Sequence, residues 1–292
     1  MLEVKNLNKS YGKNQVLTNV NLTLEENKIY GLLGRNGVGK TTLLNIIAGQ
    51  IVKDSGEVKL HNQDVFENSK AMEDICIVED RGAAFGEQNV NRLFELAKIM
   101  YKDWDEEYKN YLVSQFSLDT KKKYKKLSRG YQTIVGLIIG LASRSSLTIF
   151  DEPSLGLDAV FRYKFYNLLL GDYGKNPRTI IISTHLIDEV SNLFEDIIIL
   201  SQGEVMIKGE THMLLKKANF LSGKEENLLK IIDSKKVISR EEFGKTIILG
   251  IFDDLTQDEI HDLKSNGVEI SQIPLQKLFV YLTEKDTVKV GI

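Results

Sequence analysis

An α/β core followed by a small α+β appendage is the fold class this sequence predicts, and three observations carry it. A strand at residues 28–33 runs into a glycine-rich loop and then a helix at 42–48, closed by Gly49. Two continuous β-branched runs, SLTIFDE and RTIIISTH, have the composition of strands buried on both faces of a parallel sheet. Each is followed by a helical segment, DAVFRYKFYNLLL and LIDEVSNLF, and alternating strand and helix builds a doubly wound core. Beyond about Glu210 the alternation gives way to a different, shorter arrangement.

Taken in order, LEVKNL, QVLTNVNLTL, KIYGLLG, GEVKLH and ICIVED read as short strands. NRLFELAKIMYKDWDEEYKNYLVSQF then carries apolar residues at three- and four-residue spacing, the period of an amphipathic helix. After the two buried strands, DIIILSQGEVMIKG reads as a strand, a tight turn at 201–203 and a return strand. In the appendage, KTIILGIF and VEISQIP flank TQDEIHDLKSNG, where Thr256 and Glu259 form a capping box and Gly267 stops the helix. LQKLFVYLTEK is a last amphipathic helix.

Composition narrows the function classes. A 292-residue chain with 42% hydrophobic residues has enough apolar material for one large domain, or a medium one with a small one. A formal net charge of -3 lacks the positive excess of a nucleic-acid surface, so no nucleic-acid partner is expected. One cysteine, Cys76, excludes an internal disulfide and suits a reducing cytosol; inside ICIVED it reads as a buried core residue. No apolar run approaches the roughly 18 residues of a membrane span, and 134–142, IVGLIIGLA, reads as a buried helix. The N-terminus has no signal-peptide core. A cytoplasmic protein is expected, with any membrane role coming through partners.

Residues 34–41, GRNGVGKT, match the G-x-x-x-x-G-K-[ST] phosphate loop. Gly34, Gly37 and Gly39 let the backbone bend so that N–H groups along Arg35, Asn36 and Val38 turn inward, and the helix starting near Thr42 adds its positive dipole end. Lys40 brings a full charge to the β- and γ-phosphates of a bound nucleotide, and the Thr41 hydroxyl is a ligand for Mg2+. LTIFDEP ends a buried strand with two carboxylates. A strand that merely ends in polar residues before Pro153 would look similar, but two acids at a buried strand end are costly unless a cation or substrate answers them. Asp151 is then the carboxylate on the Mg2+ side, and Glu152 orients or deprotonates the attacking water. Of four histidines, His185 alone ends a buried strand, where a neutral imidazole can bridge the γ-phosphate and the catalytic carboxylate.

At LSRGYQ, residues 127–132, the sequence resembles the LSGGQ signature of the ATP-binding domains of ABC transporters. SLGLD at 154–158 resembles the family's D-loop, His185 stands at its switch histidine, and Tyr11 in KSYGKN is similar to the aromatic that stacks on adenine. The motifs fall in the family's order over residues 1–208. The resemblance implies a P-loop ATPase core over residues 1–212, with a mixed sheet, an antiparallel β subdomain and a helical subdomain near 84–142, and an accessory domain at 213–292. It implies ATP and Mg2+ as cofactors and Glu152, His185 and Lys40 as catalytic residues. It also implies head-to-tail pairing with a second ATP-binding subunit, so that Ser128, Arg129, Gly130 and Asp158 of one copy close over ATP on the other. Separate permease subunits would dock in a groove between the helical subdomain and the loop after ICIVED, holding the chain at the cytoplasmic face of the membrane.

The tail, IPLQKLFVYLTEKD, is similar to that of bacterial exporters of drugs, antimicrobial peptides or peptide toxins, and is too short for the regulatory barrel of many importers. Arg129 and Tyr131 depart from the signature's glycine and glutamine; a cation there either strengthens phosphate binding or obstructs closure. Where the family has a glutamine touching Mg2+ and water, this chain has Asp80, or Glu79 if the alignment shifts by one. KKKYKK at 121–126 reads as a solvated loop, with contact to anionic lipid or permease as the alternative. Rival readings are an ATP-binding subunit that clamps a partner with little turnover, and a non-transport ABC ATPase. The single ATPase domain and the short helical stretch argue against the second.

Overall fold

The computed structural model describes residues 1–79 and 86–284. They form two compact units, Met1–His185 with Asn192–Ile207, and Leu186–Ser191 with the chain from Lys208 onward. In chain order come β1 (Leu2–Tyr11), β2 (Asn14–Leu24), β3 (Ile29–Leu33), α1 (Lys40–Ile47), β4 (Ser55–Leu60), β5 (Gln63–Asp64), α2 (Ser69–Glu73) and β6 (Ile75–Val78). Then follow α3 (Val90–Met100), α4 (Glu106–Gln115), α5 (Arg129–Ala142), β7 (Leu147–Asp151), α6 (Ala159–Tyr173) and β8 (Thr179–Ser183). The short α7 (Ile187–Val190) precedes β9 (Asp196–Ser201) and β10 (Glu204–Glu210).

The centre of the first unit is a six-stranded sheet of order β10-β9-β3-β8-β7-β6. Its strands β9, β3, β8, β7 and β6 are parallel. Every residue of LTIFD and TIIIS is buried, as expected of strands covered on both faces. Cys76 lies fully buried in β6. A four-stranded sheet of order β2-β1-β4-β5, antiparallel, places Leu2, Val4, Leu22, Leu24 and Val58 in one core with Leu43, Leu44 and Ile47 of α1.

The helical stretch after β6 is two helices, not one. α3 stops at Met100, and α4 restarts after Asp105, whose carboxylate caps the Tyr108 N–H at 2.8 Å. Arg144 Nη2 donates to the same carboxylate at 2.8 Å and also pairs with Asp172, which in turn holds Arg178 Nη1 at 2.9 Å. This buried network ties α4 to the end of α5, to α6 and to the entry of β8. Each charge in it has a partner, as burial demands.

The second unit continues through α8 (Thr211–Lys217), β11 (Ala218–Gly223), α9 (Glu225–Ser234), β12 (Val237–Phe243), β13 (Thr246–Phe252), α10 (Gln257–Ser265), β14 (Glu269–Gln272) and α11 (Leu275–Thr283). Its sheet has order β12-β13-β11-β14 and is antiparallel throughout. With α9 and α10 between strands, the topology is the β-α-β-β-α-β split arrangement. Leu221, Leu228, Ile231, Leu249 and Leu263 form one core cluster; Ala218, Ile238, Ile273 and Leu278 form another, and α11 also packs on α7. The expected capping box is present, with Glu259 accepting from the Thr256 N–H at 2.7 Å, and Gly267 follows α10 with φ +74°. The division falls at 207/208, against 212/213 in the sequence reading, and the second unit also takes in Leu186–Ser191.

Candidate nucleotide site

Three adjacent parallel strands end at one level. Leu32 of β3 stands opposite Ser183 of β8, which stands opposite Asp151 of β7. The loops leaving those ends carry residues 34–39, Glu152 and His185, so the sheet register brings together motifs more than 100 positions apart. The carboxyl ends of parallel strands are where α/β sheets bind ligands.

The phosphate loop turns at Gly37 and Gly39 and enters α1 at Lys40. Gly39 has φ +108°, and a Cβ there would meet Leu17 at 2.8 Å and the Val16 carbonyl at 3.0 Å. Glycine is therefore required on both backbone and packing grounds, and the same contact sets the start of β2 beside the loop. Arg35, Asn36 and Gly37 are exposed, while Val38 and Thr42 are half-buried. Lys40 is buried, with Nζ donating to the Gly34 carbonyl at 2.7 Å. Burial pulls its ammonium below the usual lysine range, opposed by the charges of Glu152 and Asp151.

Thr41 Oγ1 donates to Asp151 Oδ2 at 2.6 Å. The other oxygen, Asp151 Oδ1, is buried and has no hydrogen-bond partner among the described residues. A buried carboxylate oxygen left unpaired beside a hydroxyl fits a hard cation with oxygen ligands. Thr41 and Asp151 would hold Mg2+ here, and the ion would supply charge neutralisation at the phosphate oxygens.

Glu152 begins the loop after β7 with φ +52°, and its N–H donates to the Ser183 carbonyl at 2.8 Å. Left-handed backbone at a non-glycine residue is strained and needs surrounding structure to hold it. His185 Nδ1 lies 2.7 Å from Glu152 Oε2. An ionised carboxylate only accepts, so the contact assigns a ring proton to Nδ1; in the neutral imidazole Nε2 is then an acceptor.

The signature residues lie at the exposed start of α5. Ser128 is its N-cap, accepting from the Tyr131 N–H at 3.4 Å, and Arg129 is the first helical residue. A Cβ on Gly130 would sit 2.8 Å from the Gly156 carbonyl, so the signature glycine lets the loop after β7 approach its own α5. Thr133 Oγ1 adds a bond to the Leu155 carbonyl at 2.9 Å. Asp158 caps α6, accepting from the Phe161 N–H at 2.9 Å; its Oδ1 holds a helix end. Tyr11 ends β1, with its side chain 49% exposed.

Of the two acids expected in place of the glutamine, Asp80 lies outside the described residues. Glu79 follows β6, one step beyond the pair Val78 and Phe150, at the level of Asp151. Its Oε2 accepts from Asn45 Nδ2 at 3.0 Å, and the same nitrogen donates to the Thr41 carbonyl at 2.9 Å. Sequence reasoning missed Asn45, although its place four residues after Thr41 puts both on one face of α1.

Comparison with known proteins gives the family. A family model described as ABC transporter matches residues 17–155. The chain is 31% identical over 193 residues to the ABC transporter ATP-binding protein YtrB of Bacillus subtilis, covering 66% of each chain. It is 32% identical over 208 residues to the tungstate uptake system ATP-binding protein TupC of Peptoclostridium acidaminophilum, covering 70% of this chain and 96% of that one. Against the lantibiotic transport ATP-binding protein SrtF of Streptococcus pyogenes identity is 27% over 217 residues, with 72% and 91% covered. Among solved structures, a dimeric ATP-binding cassette in a post-hydrolysis state with ADP and Pi superposes with a TM-score of 0.64 at 26% identity, covering 72% of this chain and 99% of that one. The phosphate loop, the acidic strand end and the signature helix thus occur in a chain that covers 96% of TupC at 32% identity, and the chain belongs to the family of ABC transporter ATP-binding subunits, as an ATPase cassette.

Proposed function

We propose that this chain binds ATP and Mg2+ and hydrolyses the γ-phosphate to drive export of a drug, antimicrobial peptide or peptide toxin through separate permease subunits. The observation that carries the hydrolytic reading is the pair formed by Glu152 and His185, 2.7 Å apart beside the Thr41–Asp151 contact. Glu152 accepts a proton as water attacks the γ-phosphorus, the bond to the β-phosphate oxygen breaks, and ADP and Pi result. Lys40 and the loop N–H groups meet the negative charge that builds on the phosphate oxygens. Two copies, or this chain and a related subunit, pair so that the exposed Ser128–Gly130 end of α5 caps ATP on the other. Exposed Val160 and Tyr163 on the first turns of α6 are apolar surface of the kind such pairing covers.

A cleft of about 500 Å3 lined by Ile77, Leu96, Met100, Tyr101, Ile139 and Leu155 opens beside the end of β6. Apolar walls reaching Glu152 at one side suit a short permease helix. Among the described residues no helix is long and apolar enough to cross a membrane. Such docking would hold the chain at the cytoplasmic face. For export, the support is the tail and the likeness to the lantibiotic transport protein; the likeness to a tungstate uptake protein points the other way.

The deciding assay is ATP turnover with and without the permease, comparing wild type with Glu152→Gln. Turnover that rises with the permease and falls about 100-fold or more in the variant, with ATP still bound, is expected. Binding without wild-type turnover would overturn the motor reading in favour of a clamp. Accumulation of labelled peptide in inverted vesicles carrying the complex tests direction; uptake by right-side-out vesicles alone would reverse it.

A further inference from the structure

We propose that Lys9 and Asp54 are positioning residues that hold the Tyr11 ring as the platform for the adenine base; the inference rests on the reading of Tyr11 as the stacking residue. Lys9 Nζ lies 5.3 Å from the centroid of the Tyr11 ring, within the range of a cation–π contact. The lysine is itself fixed. Its Nζ donates to Asp54 Oδ1 at 3.0 Å, and only 14% of its side chain is exposed.

Asp54 is anchored to the strand at both ends. Its Oδ2 accepts from the Ser10 N–H at 2.7 Å, and its own N–H donates to the Asn8 carbonyl at 3.0 Å. The lysine and the Ser10 N–H hold the Asp54 carboxyl below the usual carboxylate range, so it stays ionised. Backbone, carboxylate, ammonium and ring therefore form one chain of contacts that ends at an aromatic whose side chain is half exposed.

The position fits a base. The start of β2 abuts the phosphate loop, with Val16 and Leu17 against Gly39, and Asn14, two residues before Val16, pairs with Tyr11, so a nucleotide whose phosphates occupy that loop has its base near this strand end. A ring on a strand end would otherwise sample several rotamers, and ordering it on binding opposes affinity. The ammonium on one side removes that freedom before ATP arrives. It also draws π density away from the other face, which favours stacking on an electron-rich purine.

The test compares Lys9→Met, Lys9→Arg, Asp54→Asn and Tyr11→Ala in the whole chain, each checked for an unchanged melting temperature. ATP affinity and turnover are measured, together with inhibition by tripolyphosphate, which has phosphates and no base. Lys9→Met is expected to weaken ATP binding about threefold at constant kcat, with tripolyphosphate inhibition unmoved and Lys9→Arg close to wild type. Asp54→Asn should give a smaller shift in the same direction. In the Tyr11→Ala background, Lys9→Met should have no further effect, because the ring through which it acts is gone. If Tyr11→Ala weakens ATP but Lys9→Met does not, the positioning role fails and the stacking reading stands. If Tyr11→Ala changes nothing, both fall. Equal losses for ATP and tripolyphosphate in Lys9→Met would make the lysine a phosphate-attracting charge and overturn the proposal.

Discussion

At the proposed phosphate end of the site, the groups that would meet charge are backbone N–H groups and side chains rooted in α1 and in the ends of β7 and β8. Lys40 and Asp151 are buried there, and each contact is fixed by a helix or a sheet register. At the proposed base end, Tyr11 stands half exposed on a strand end, beside Lys9, which pairs with Asp54. The two ends face different problems. Phosphate charge must be taken out of water and matched by fixed dipoles, which only a rigid loop can do at low reorganisation cost. A purine face needs only a flat apolar partner. Mutations at the two ends should therefore differ in size and in kind.

The largest effect is expected at Lys40. Lys40→Met removes a buried cation proposed to meet the phosphates, and losing one partner of a desolvated charge pair costs about 3 kcal/mol, roughly a hundredfold in affinity. A titration with labelled ATP reads this directly, and a change below about fivefold would erase the contrast between the ends. Next comes Asp151→Asn. The amide still accepts from the Thr41 hydroxyl but lacks the charge of the orphaned Oδ1. The Mg2+ concentration needed for half-maximal turnover should rise about tenfold or more, with ATP binding in the absence of Mg2+ little changed. An unshifted Mg2+ titration would remove Asp151 from the metal side.

Much of this end was legible in the sequence, because short motifs with a strict spacing encode it. GRNGVGKT, LTIFDE and IISTH each announce a strand end, and parallel pairing then has little choice but to put them at one level. Asp80 and Glu79 were harder. The sequence offers two acids in a row, and the bond from Asn45 shows where Glu79 points. The break between α3 and α4 was written in the chain as an Asp105 cap followed by two glutamates, yet the helical period on both sides hid it. In the second unit the capping box at Thr256 was readable because it is local. That Leu186–Ser191 joins that unit was not, since it depends on α11 packing against α7 from ninety residues away in sequence. Asp158 had the same difficulty in reverse, as a motif position whose side chain turns out to cap its own helix.

A smaller effect tests the base end as a whole. Tyr11 offers a π face, and stacking on a π face does not tell one purine from another, so GTP should support turnover with a KM within about tenfold of that for ATP. Steady-state assays with both nucleotides decide this. Discrimination beyond about a hundredfold would mean that hydrogen bonds to the base edge select adenine, because only unpaired polar groups reject an analogue so strongly.

Arg129 should give the smallest change. Its Cγ and Cδ lie within 3.4 Å of where a Cβ on Gly156 would sit, so the stem packs along the loop after β7 on its own chain. Arg129→Gly removes that packing and puts glycine in the first turn of α5, at a cost of about 0.5–1 kcal/mol in helix stability. Melting temperature should fall by a few degrees, while turnover stays within about threefold of wild type. The comparison behind this is with Gly130, one residue on, where a Cβ would collide with the Gly156 carbonyl at 2.8 Å. Gly130→Ala should therefore harm turnover more than Arg129→Gly, despite adding a single methyl. A wild type silent until Arg129 becomes glycine would reverse this order, and would identify the arginine as the block that keeps the signature from closing over ATP.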